Sequence, residues 1–142
     1  MTTSRKPRQP SEAELAEASR AELLSTFNYN LTLQLPFILP AFEQLQNTIT
    51  AAMSAQGFWD SANTGEKIAL MHSELSEMLE ADRKSIEVSE HIPEFSGVEE
   101  ELADLVIRAL DFAGYHNLRL GEALLAKMTF NLNRPFKHGK KY

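Results

Sequence analysis

The 142-residue chain contains no cysteine, which removes disulfide frameworks, thiolate metal sites and cysteine nucleophiles together. It has no apolar run near the ~20 residues that cross a bilayer, and its opening MTTSRKPRQP lacks the hydrophobic segment of a signal peptide. The expectation is a cytoplasmic protein with no membrane partner. Motifs for a Ser-His-Asp hydrolase or a glycine-rich phosphate loop are also missing. No run of strand periodicity is long enough to trust, which leaves an all-α fold.

What the chain does have is acid, unevenly placed. The net charge is -6, yet residues 72–104 carry eleven acidic side chains against only Arg83 and Lys84, while the closing RPFKHGKKY has Arg134, Lys137, Lys140 and Lys141 and no acid. A binder of nucleic-acid polymers is more often basic throughout, so that class is disfavoured.

Punctuation residues divide the chain into helices. The first ten residues hold two prolines and three basic groups and are expected to be disordered. A short helix opens at Ser11 with a capping box to Glu14. Pro36 and Pro40 are expected to break it, with a new helix running from Pro40 to a cap at Gly57. The next helix starts near Thr64, with Ile68, Met71, Leu75, Met78 and Leu79 at helical spacing. A loop with Pro93 and Gly97 leads to a helix capped by Ser96 and Glu99, and EALLAKMTFNLN forms the last one before Pro135. The architecture predicted is an antiparallel bundle of about four or five helices.

The chemistry lies in the acidic residues. Glu74 and Glu77 occupy adjacent positions on one edge of the second long helix, and Glu101 and Asp104 repeat that spacing on the next. Glu74 falls in line with Met71 and Met78, inside an apolar stripe. The helix around Glu101 is apolar over most of its circumference and predicted to be mostly buried, with Glu101, Asp104, Arg108, Asp111 and Tyr115 as its one polar strip. A single Glu-x-x-Glu is usually a solvated face. Two on consecutive apolar helices point instead to a cleft where four carboxylates meet, and such a group resists burial unless a cation neutralises it. Oxygen-only ligands select Mg²⁺, with Mn²⁺ able to substitute. A ferritin-type di-iron site would need Glu-x-x-His pairs, and no histidine here has glutamate three residues before it.

Lys127, Asn131 and Arg134 form one stripe on the last helix, suited to a polyphosphate beside a metal. Phe58 and Trp59 are large aromatics at a helix junction, and Trp59 is a candidate for stacking on a base. Read alone, the basic stripe is a solvated C-terminus and the aromatics are core.

Taken together, ELSE, EELAD and KMTFNLNRPFKHGKKY resemble the MazG-like all-α nucleoside triphosphate pyrophosphohydrolases over residues 38–142, leaving 1–37 as an N-terminal extension. The resemblance implies a homodimer or homotetramer that cleaves a nucleoside triphosphate between its α and β phosphates. It also implies magnesium held by Glu74, Glu77, Glu101 and Asp104, with Lys127 and Asn131 at phosphate-contact positions. Glu77 or Glu74 is the candidate to take the proton of the attacking water. Two other readings stand beside this one: a non-catalytic helical dimerisation or regulatory module, and the same chemistry on another nucleotide-like substrate.

Overall fold

The computed structural model describes residues 9–61 and 63–134. Among them it has four helices and no strand: α1 (Glu12–Ala55), α2 (Thr64–Lys84), α3 (Gly97–Tyr115) and α4 (Leu120–Leu132). The expected disorder of the first ten residues bears mainly on 1–8, which lie outside the described residues, as do Lys137, His138, Lys140 and Lys141 of the basic tail. No helix among the described residues is long and apolar enough to cross a membrane.

The helix ends follow their capping residues. Ser11 and Glu14 close a reciprocal pair, with Ser11 N donating to Glu14 Oε2 at 2.7 Å and Glu14 N to Ser11 Oγ at 3.3 Å. Asn63 accepts from Glu66 N at the start of α2, and Ser96 with Glu99 forms a full capping box on α3. Gly57, at φ 80°, ends α1 in the left-handed conformation that glycine adopts without strain.

The predicted break at Pro36 and Pro40 does not occur: α1 runs unbroken through both prolines for 44 residues. Each proline removes one ladder donor, and a proline inside a helix costs about 3 kcal/mol. The two are four residues apart, so the missing bonds fall one above the other on a single side and the rest of the ladder continues. Compactness, rather than helix termination, marks the spot. The chain divides into two units, one formed by residues up to 39 with those from 122 onward, the other by Pro40–Gly121.

Within Pro40–Gly121, α2 and α3 pack along each other and α1 contributes its last part. Gly114 of α3 lets α1 approach closely, since a Cβ there would lie 2.0 Å from Thr50 Oγ1. Thr50 Oγ1 donates to the Asp111 carbonyl at 3.3 Å, and Gln46 Nε2 donates to the Leu118 carbonyl at 3.3 Å. The interior is unusually polar. Among the described residues, the buried apolar side chains are Ala81, Leu110 and Ala113, whereas Gln46, Lys67, Glu74, Ser89 and Asp111 are the buried polar ones.

The expectation that α3 is buried nearly all round fails for its apolar face. Leu102 and Val106 are each 47% exposed, while Asp111 on the polar strip is only 5% exposed. Part of the polar strip is thus turned inward while part of the hydrocarbon faces out, unlike an ordinary amphipathic helix.

Candidate metal centre and the adjoining cavity

Glu74 and Glu77 sit one turn apart on α2, and Glu101 comes from α3, which packs along it. One carboxylate oxygen from each lies within 4.8 Å of the other two. Burial is graded across the group: Glu74 is buried, Glu101 intermediate and Glu77 exposed. The carboxylate inside the Met71–Met78 stripe is therefore the deepest of the three.

Two neighbours orient the group. Arg108 Nε donates to Glu74 Oε1 from α3, and Ser73 Oγ donates to Glu77 Oε1 at 2.7 Å. Glu101 is held higher than an ordinary carboxyl, first by its loss of solvent and then by the charges of Glu77, Glu100, Glu74 and Asp104. Three carboxylates less one guanidinium leave two negative charges, the complement of one divalent cation. All the donor atoms are oxygens, which suits Mg²⁺ or Mn²⁺.

Asp104 was expected as the fourth ligand, but the close group consists of Glu74, Glu77 and Glu101. Asp104 lies one turn further along α3 and lines a neighbouring cavity of about 250 Å³. That cavity is walled by apolar Met53, Phe58, Leu70 and Ile107, with Lys67, Asp104, Arg108 and Asp111 as its polar members. Asp104 and Arg108 thus connect the carboxylate group to the cavity.

Trp59 is engaged within the chain. Its Nε1 donates to both oxygens of Asp111, at 2.9 and 3.1 Å, and its ring stacks on Tyr115 with centroids 3.6 Å apart and planes 4° from parallel. Lys67 Nζ lies 4.3 Å from the indole centroid and donates to the Phe58 carbonyl at 2.6 Å. Nothing in the sequence marks Lys67, because a lysine in the first turn of a helix carries no pattern of its own.

Lys127, Asn131 and Arg134 belong to the other compact unit. Lys127 Nζ and the Arg134 guanidinium lie 4.6 and 5.9 Å from the Phe130 ring centroid, and Asn131 is exposed. Lys127 and Asn131 are one turn apart on α4, and Arg134 lies two residues beyond its end.

A third arrangement closes the loop between α2 and α3. Ser89, 2% exposed, donates from Oγ to Glu100 Oε2 at 2.6 Å and accepts from the backbone N–H groups of His91 and Ile92. His91 Nδ1 lies 2.6 Å from Glu100 Oε1. This is not a nucleophile triad, because the hydroxyl bonds the carboxylate and not the imidazole. Its effect is to fasten the loop to α3 one residue before Glu101.

No family model, curated protein or solved structure matches the chain.

Proposed function

We propose that the chain is a Mg²⁺-dependent nucleoside triphosphate pyrophosphohydrolase, releasing nucleoside monophosphate and pyrophosphate. The observation that carries this reading is the convergence of Glu74, Glu77 and Glu101 from two helices onto one point. The motif resemblance of residues 38–142 supplies the reaction.

The donor set fits the metal. Glu74 and Glu77 each have one oxygen in a hydrogen bond within the protein, which fixes the carboxylate while leaving its second oxygen for a cation. Bound there, Mg²⁺ would supply an acidified water and neutralise charge on the phosphates. Arg108 holds Glu74 in place and offsets part of the acidic charge. Glu77 is the most exposed carboxylate of the group and the better placed of the two candidates to accept a proton from solvent water. Lys127 and Asn131 offer donors suited to phosphate oxygens, the role the resemblance assigns to them, and Arg134 adds a further cation.

The exposed apolar face of α3 supports the pairing of subunits. Leu102, Ala103, Val106 and Leu110 line an open groove with Leu45 and Ile49 of α1. A second copy laid on that face would remove it from water, giving a homodimer or a pair of dimers. Light scattering coupled to size exclusion checks this, and a monomer at micromolar concentration counts against it.

The activity is tested by incubating the protein with each nucleoside triphosphate and Mg²⁺ and resolving the products. Monophosphate with pyrophosphate is expected. Diphosphate with orthophosphate, or no turnover on any nucleotide, overturns the reading.

A further inference from the structure

The cavity beside the carboxylates contains two buried charges of opposite sign that do not neutralise each other. Asp111 is 5% exposed and Lys67 is 8% exposed, both line the cavity, and no ion pair joins them among the described residues. Burying a charge without a partner is expensive, so each needs a polar counterpart. Within the protein Asp111 receives one indole N–H and Lys67 gives one bond to a carbonyl, beside its contact with the Trp59 ring. A carboxylate accepts about four hydrogen bonds and an ammonium donates three, so capacity remains on both.

We propose that this cavity is a base-recognition pocket in which Asp111 accepts a hydrogen bond from an N–H of the base and Lys67 donates to a neighbouring ring nitrogen or carbonyl oxygen. The proposal rests on the nucleotide reading and deepens it. Three features select a base as occupant. The volume of about 250 Å³ falls below the roughly 300–1,000 Å³ of pockets that enclose a whole drug-sized ligand, so the cavity takes a fragment of the nucleotide. The walls from Met53, Phe58, Leu70 and Ile107 suit the faces of a planar heterocycle, not a sugar or a phosphate. The charges on the lining balance, Asp104 and Asp111 against Lys67 and Arg108, which leaves no excess of positive charge for a phosphate, whereas every nucleobase presents an N–H donor beside an acceptor.

Trp59 then has a role other than stacking. Its Nε1 bonds to both oxygens of Asp111, occupying the direction between them, so that a base with two adjacent donors cannot engage the carboxylate as a fork. The base is read through single donors at the outer lone pairs. Trp59 is a positioning residue for Asp111.

The test uses the emission of Trp59, the only tryptophan in the chain. The full-length protein in EDTA is titrated with each nucleoside 5′-monophosphate and with ribose 5-phosphate. At least one monophosphate is expected to change the emission saturably while ribose 5-phosphate does not, and Lys67→Met should weaken that binding tenfold or more. Asp111→Asn keeps an acceptor for Trp59 Nε1 but replaces the second acceptor with a donor, so the ratio of affinities between bases should shift tenfold or more. It provides the test if Lys67→Met does not fold. Equal response to ribose 5-phosphate, no response to any nucleotide, or two folded variants with unchanged affinities overturns the pocket. Hydrolysis that proceeds with base preference unchanged in both variants defeats the pocket alone, whereas base binding without hydrolysis defeats only the catalytic reading.

Discussion

Arg108 of α3 forms an ion pair with Glu74 of α2, and Glu74 is the most buried member of the three-carboxylate group. The guanidinium is partly exposed, with 34% of its side chain accessible, while 4% of the Glu74 side chain is. A cation on one helix therefore anchors a metal-ligand candidate on the other. Replacing Arg108 by Met should leave a buried carboxylate without its partner and cost about 1–3 kcal/mol, below the full cost of a wholly buried pair. Chemical denaturation checks this. In the double variant with Glu74→Gln the loss should be largely recovered, and additive losses would show that the pair is not coupled.

Divalent cation should stabilise the folded chain through the carboxylate group. At a concentration a hundredfold above Kd the gain is about 2.7 kcal/mol, which raises Tm by roughly 5–10 °C in a chain of this size. Scanning calorimetry with Mg²⁺ and with EDTA measures it. Glu77→Gln should reduce the rise, and identical melting with and without metal would remove the cation from the site.

Glu101 offers a complementary measurement without metal. Its carboxyl is raised by burial and by like charges, so the folded state holds its proton more tightly than the unfolded state does. The sign follows directly: stability falls as pH rises from the ordinary value of 4.5 through the folded value, and the loss is complete above that. Glu101→Gln should melt higher than the parent in EDTA at neutral pH. A lower melting point would mean that Glu101 stabilises the apo protein, contrary to the repulsion inferred for it.

The loop clasp has its own pH window. His91 is raised above 6.5 chiefly by its hydrogen bond to Glu100, and Glu100 is lowered below 4.5 first by Ser89 and then by His91. The histidine contribution is complete below 6.5 and is lost as pH rises through the folded value. The carboxylate contribution is present above 4.5 and is lost as pH falls through its folded value. Hydrogen exchange in residues 86–96 should be slowest relative to the intrinsic rate between those limits. His91→Ala should abolish the upper edge of the window, and an unchanged edge would assign it to another group.

Gly114 tests the packing that supports Asp111. An alanine methyl there would lie 2.0 Å from Thr50 Oγ1 and 2.9 Å from its Cβ, so α1 and α3 must move apart. Gly114→Ala should cost about 1–3 kcal/mol, outweighing the helix-propensity gain of up to about 1 kcal/mol. Denaturant titration reads the difference. Thr50→Ala in the same chain removes the closer atom and should recover part of it.

The residues that make helices were legible because capping and periodicity act locally: Ser11, Ser96 and Gly57 are where the ends fall. Pro36 and Pro40 misled because their spacing of four places both defects on one side of the ladder, a relationship that a residue-by-residue breaker rule ignores. Glu74, Glu77 and Glu101 were legible as a group because two helical spacings on consecutive helices suffice to bring them together. The exposure of the apolar face of α3 was not. Counting apolar residues around it could not show that Leu102 would be left half-exposed, since that depends on which neighbours pack against the helix. The pairing of Lys67 with Asp111 in one cavity was hidden as well, since the two residues are 44 positions apart in the chain.

The loop between α2 and α3 also bears on the order of folding events. Gly97 N donates to the Ile86 carbonyl and Ser89 N to the Phe95 carbonyl, so the connection is closed by its own backbone. The three grouped carboxylates all lie within residues 74–101, on the two helices this loop joins. Bringing them together requires only a short loop closure, whose entropic cost is small and which belongs early in folding. Their mutual repulsion is then met while the helical hairpin is forming. A divalent cation should consequently steepen the approach to the native state, accelerating refolding more than it slows unfolding in stopped-flow chevrons recorded with and without Mg²⁺.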